Sequence, residues 1–188
     1  MEICMNIFVL SEDPKLAAEY HCNKHVVKMV LESAQMLCGA HWYSLLNESG
    51  KKLSDFKGPR KAKEWLLQNA NSAKIPPYTF THVRHPCTTW TAETMGNYNW
   101  HMELMRHLLD EYTLRYKRQH RCEDVWNWLN AHKPTHIDQS LQMTQHPQAM
   151  PVECKVPGDP VQAYRNYYSN NKRKFAKWEP HAKTPYWF

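Results

Sequence analysis

The sequence predicts a mainly α, single-domain protein over residues 1–188, and three features carry that reading. Proline-punctuated helical patterns fill most of the chain, with five glycines against twelve prolines. One segment, Tyr98, Met102, Met105, Leu109, Tyr112 and Tyr116, repeats apolar residues at alternating steps of four and three, which is a helix with a sustained core seam. A hydrophobic content of 42% in 188 residues suffices for one buried core.

From the N-terminus, "ICMNIFVLS" is short, apolar and β-branched, and reads as a buried strand. Ser11 or Asp13 can cap the next helix, with Pro14 at its first position. The helical pattern runs from about Lys15 to Leu46, with a kink near His21. Its apolar face holds Val26, Val30, Leu37 and Ala40, and the opposite face holds His21, His25, Lys28, Glu32 and Gln35. "AKEWLLQNANSAK" predicts a short helix, "CTTWTAETMGNYNW" opens the stretch that leads into the seam, and "EDVWNWLNAHK" adds one more helix. Residues 134–160 read as an ordered, irregular, proline-rich crossing, with Met143, Met150 and Val152 expected to be buried. The last helix starts at Asp159 as cap and Pro160, and a basic aromatic tail completes 160–188.

Several function classes fall away. Neither GxGxxG nor GxxxxGK[ST] occurs, which argues against a Rossmann or P-loop nucleotide site. Cysteines stand singly at 4, 22, 38, 87, 122 and 154, so zinc ribbons and CxxC redox centres are not supported, and a reduced cytoplasmic protein is expected. No secretory leader pattern and no long apolar span is visible, so no membrane contact is expected. A net charge of +6 suits an anionic partner, and +5 of it lies in Val161–Phe188.

"HCNKHVVKM" concentrates the candidate chemistry. His21 and His25, four apart, share a helix face as in HExxH metal sites, but the intervening glutamate is absent, Lys24 lies between them and Lys28 adds a second cation. No metal is therefore expected. The same face offers phosphate donors in Lys24, Lys28 and His25, with Asn23 as a neutral one, and "HVRHP" adds Arg84 and His85. His21 or His25 can act as acid or base near neutrality, and Glu32, one turn beyond Lys28, can orient a neighbour. The plain alternative is a solvated stripe opposite the apolar one. In "GNYNWH" and "AYRNYY", Asn99, Trp100, His101, Tyr164 and Arg165 are candidates for base reading and stacking, Trp100 and His101 lying off the core seam. Lys172, Arg173, Lys174 and Lys177 are candidates for nucleic-acid backbone contact.

"NIFVLSEDPKLAAEYHCNKHVVKMVLESAQML", "HPCTTW", "NYNW", "EYTLRY", "QAMP" and "AYRNYYSNNKRKFAKW…TPYWF" together resemble a family of small, mostly uncharacterised proteins of tailed bacteriophages, over nearly the whole chain. The resemblance links the chain to phage DNA hypermodification, in which amino acids are installed on thymidine-derived bases through a phosphorylated 5-hydroxymethyluracil. It implies DNA as partner, an amino acid as small co-substrate, no cofactor, and the cytoplasm of an infected bacterium as location. In that chemistry Lys28, Arg84 and His85 would hold the leaving phosphate, His21 or His25 would deprotonate the amine, and Trp100 or Tyr164 would stack on an extruded base. Other readings stay open: a non-catalytic DNA-binding or host-inhibiting module, a glycosylase-like enzyme using Glu32 or Asp110, or a nucleotide-level hydrolase or transferase.

Overall fold

The structure, a computed structural model, describes residues 5–188. Among them the fold is helical, with α1 (Pro14–Tyr20), α2 (Asn23–Glu48), α3 (Pro59–Asn69), α4 (Pro86–Thr91), α5 (Met95–Tyr116), α6 (Glu123–Ala131) and α7 (Pro160–Tyr167). A π-helical turn, Tyr168–Lys172, continues α7. Among the described residues no helix is long and apolar enough to cross a membrane.

Local signals set several of these ends. Asp13 accepts the Lys15 amide and Pro14 opens α1, as the sequence predicts. Asp159 caps α7 in the same way ahead of Pro160. Thr94 caps α5 by accepting the Asn97 amide.

The predicted kink near His21 is a full break. His21 and Cys22 are extended, so α1 and α2 are separate helices. A helix end leaves carbonyls without partners, and here a buried arginine from α5 takes them. Arg115 Nη1 donates to His21 O at 2.8 Å, and Nη2 donates to Glu19 O at 3.0 Å. Its charge is balanced by Glu111, whose carboxylate lies 2.6 Å from Nη2.

α5 lies along both α1 and α2, and its predicted seam is the core: Tyr98, Met102, Met105, Leu109 and Tyr112 are all buried. A smaller apolar cluster at the far end of α2 joins Trp42, Leu45 and Leu46 to Leu66, Phe80 and Val83.

Two expectations are corrected. The N-terminal strand does not form among the described residues; Ile3 and Cys4 of its predicted run lie outside them. Met5–Leu10 is buried as irregular chain with no neighbouring strand among the described residues, and side chains serve its polar groups. Glu32 accepts the Asn6 amide at 3.1 Å, and Arg165 Nε donates to Leu10 O at 3.1 Å. Second, the 134–160 crossing is pinned by polar bonds rather than by Met143 and Val152, which are 44% and 81% exposed. Asn97 accepts the Thr144 amide and donates to its hydroxyl, while His146 is wedged between Trp90 and Trp100. Gly96 permits this docking: a Cβ there would stand 2.4 Å from Leu141 O.

Candidate functional site

α2 is covered on both sides, so its polar face is not a solvated stripe. His21 is fully buried, and His25 and Glu32 are 5% and 4% exposed, whereas Lys24 and Lys28 stay at the surface. The covering comes from the chain ends. Phe8 stacks on the His25 ring at 4.5 Å, and Tyr168 and Phe175 meet it edge-on at 5.1 and 5.4 Å.

The two histidines have different fates. His21 Nδ1 is 2.7 Å from Ala17 O, and its Nε2 is sealed without a partner. Burial lowers its pKa to about 4, opposed by the Ala17 hydrogen bond and reinforced by Arg115. It is a structural imidazole. His25 Nδ1 lies 2.5 Å from the Tyr168 hydroxyl. Its Nε2 makes no hydrogen bond among the described residues and, unlike His21 Nε2, is not fully sealed. Burial, then the charges of His21, Lys172 and Lys28, hold the His25 pKa well below the ordinary histidine value.

Cations ring this neutral imidazole. Lys24 Nζ sits 5.5 Å over the Phe175 ring. Lys172 Nζ donates to Tyr167 Oη at 2.9 Å, above that ring. Lys28 pairs with Glu32 at 2.8 Å, the one-turn pairing that the spacing offers. Burial pushes the Glu32 carboxyl up, against the pull of Lys28, the Asn6 amide and His82. Cys22 is buried beside Tyr168, and burial raises its thiol pKa, which disfavours the thiolate that a nucleophile needs.

"HVRHP" meets α2 farther along. His82 acts on Glu32, and Arg84 acts on Tyr43. Arg84 is exposed, and His85 caps α4 by accepting the Cys87 amide. The turn therefore joins the Lys28–Glu32 end of the face and not the His21–His25 end.

Other sequence candidates are committed elsewhere. Asn23 Nδ2 donates to Trp178 O and its Oδ1 accepts from Arg115, so it ties the C-terminal segment to α2. Trp100 donates its indole N–H to Glu12 O, and His101 is fully buried against Thr91. Both lie off the seam, as the spacing predicts, yet they face the crossing rather than solvent. Tyr164 is buried with its hydroxyl donating toward Asn6 Oδ1 at 2.7 Å. Arg165 lies over Tyr20 and Trp187. Asn99, half-buried, borders a separate groove with Arg106 and His107. Asp110 is paired with Arg106 at 3.0 Å. Beyond Lys172 the predicted helix stops, and Arg173, Lys174 and Lys177 are exposed on an irregular segment. Arg173 donates to Phe188 O.

Sequence reasoning missed Phe8, Tyr168 and Arg115, the residues that position His25. The i, i+4 spacing of Tyr164 and Tyr168, which puts both on one helix face toward α2, is the available signal. No group of three or more potential metal ligands is gathered among the described residues. No family model, no curated protein and no solved structure matches the chain.

Proposed function

We propose that the chain is a transferase for phosphate-bearing nucleic-acid bases, with His25 as proton acceptor. One observation carries this: a neutral imidazole bonded to a tyrosine, with an Nε2 that no protein group occupies, near Lys24, Lys28 and Lys172. A free base beside several cations is what an amine nucleophile and an anionic leaving group need together.

This role requires one tautomer: His25 Nδ1–H donates to Tyr168 Oη, and the lone pair lies on Nε2. In the reaction, an amine forms a bond to the exocyclic methylene of a phosphorylated 5-hydroxymethyluracil. The carbon–oxygen bond to phosphate breaks, His25 takes the amine proton, and the lysines hold the departing phosphate. The choice of DNA, of the pyrimidine and of an amino acid as the amine rests on the sequence resemblance and on the +6 charge.

The test is to incubate the protein with DNA carrying phosphorylated 5-hydroxymethyluracil and amino acids, then weigh the nucleosides. A new, heavier nucleoside is expected, and its yield should fall by on the order of 10²–10⁴-fold in His25→Ala. An unchanged profile with the wild-type chain sinks the reading. The exposed Arg173, Lys174 and Lys177 favour a second reading, a non-catalytic DNA binder. DNA affinity that survives His25→Ala without any base chemistry would select it.

A further inference from the structure

A second neutral histidine lies sixteen residues along α2 from His25, about 24 Å away at the helical rise. His41 is buried, and its Nε2 lies 2.9 Å from Tyr98 Oη. The phenol in turn donates to Leu129 O at 3.4 Å. With its proton committed to that carbonyl, Tyr98 accepts from His41 Nε2–H, and Nδ1 keeps a lone pair. Nδ1 makes no hydrogen bond among the described residues and is not one of the sealed nitrogens. Burial, then His132 and Lys133, hold the His41 pKa at about 3, so Nδ1 is an acceptor throughout the physiological range.

This edge borders a cavity of about 280 Å³, walled by Leu45, Trp128 and Pro134. Lys133 lines it too, with its ammonium 5.6 Å over the Tyr98 ring and no carboxylate partner among the described residues. The other cation, Lys74, is already paired with Glu48. The cavity thus presents an unused acceptor, His41 Nδ1, and an unused donor, the Lys133 ammonium, against an aromatic wall.

We propose that this cavity binds a small planar heterocycle through a ring N–H adjacent to a carbonyl, the lactam edge of a uracil- or guanine-type base. The N–H donates to His41 Nδ1 and the oxygen accepts from Lys133. A trans peptide puts N–H and C=O on opposite sides and cannot serve both. A ring amide is cis and can. The volume is near the lower end for ligand pockets, which suits a single base or nucleoside.

The site does not depend on His25. The test follows the Trp128 indole N–H resonance while uridine, guanosine, cytidine and 3-methyluridine are titrated into the whole chain. Saturable shifts with uridine or guanosine are expected, and the two arms decide which base is preferred. Methylation of the ring N–H should weaken binding about tenfold, the worth of a hydrogen bond plus its stranded acceptor. Lys133→Met, at the surface, should weaken it by a similar factor, while His25→Ala should leave it unchanged. Equal binding of uridine and 3-methyluridine overturns the proposal. So does a Trp128 resonance that neither nucleoside moves at about 10 mM, a range where even kcal-scale contacts register.

Discussion

The two ends of α2 solve one problem twice. Each holds a buried histidine neutral, each fixes it with a tyrosine hydroxyl from another part of the chain, and each leaves one ring nitrogen without a hydrogen bond among the described residues. They differ in what surrounds that nitrogen. At His25 the charges of Lys28 and Lys172 bear on the ring, Lys24 lies over the covering Phe175, and the other covering rings come from Phe8 and Tyr168 at the chain ends. At His41 one unpaired lysine faces an aromatic wall supplied by the helical body. The difference shows how surroundings divide labour between identical side chains: a base among cations suits charge-separating chemistry, and an acceptor beside a single donor suits recognition.

Acid should break both ends and produce the largest effect. His21, His41, His101 and His146 have folded-state pKa values of about 4, 3, 3 and 3. Unfolded histidine titrates near 6.5, so the unfolded chain takes up protons first as pH falls. Stability is fully present above about pH 6.5 and drains from there down to about pH 4 for His21 and about pH 3 for the other three, at about 1.4 kcal/mol per pH unit for each histidine. Urea unfolding at pH 7.5, 6 and 5 measures this, and a flat profile would mean that the histidines are not buried neutral.

Arg115→Met should break one end alone. It strips the carbonyls of Glu19 and His21 of their donors and strands Glu111, at a cost of about 3 kcal/mol. The His25 resonances should move while those of His41 hold. Equal disturbance at both ends would show that the break between α1 and α2 is not what places His25.

A matched pair of tyrosine variants sharpens the contrast. Tyr168→Phe should lower kcat of the transfer about tenfold and leave nucleoside binding at the His41 cavity intact, the loss of one orienting hydrogen bond being worth about 1 kcal/mol. Tyr98→Phe should do the reverse. The smallest effect is expected from Lys24→Met: stability within about 0.5 kcal/mol, because the side chain is exposed, and a shallower salt dependence of DNA binding.

The contrast also marks what the sequence discloses. Asp13–Pro14 and Asp159–Pro160 are local signals, and they predict the helix starts that form. The spacing from Tyr98 to Tyr112 predicts α5 because periodicity needs no partner. The polar face of α2 is harder to read, because whether His25 meets water depends on Tyr168, 143 residues away. Arg115 and Asn23, 92 residues apart, pose the same difficulty. The N-terminal run misleads for a related reason: a short apolar segment is compatible with any buried conformation, and Glu32 and Arg165 supply the bonds that a strand would take from a neighbour.

The role assigned to His25 can be read without a substrate. Nitrogen-15 NMR of the imidazoles reports both charge and tautomer for each ring. At pH 7 His25 should be neutral, protonated at Nδ1 with a lone pair on Nε2, and should stay so well below pH 6.5. An imidazolium at pH 7, or a proton on Nε2, would contradict its assignment as the proton acceptor.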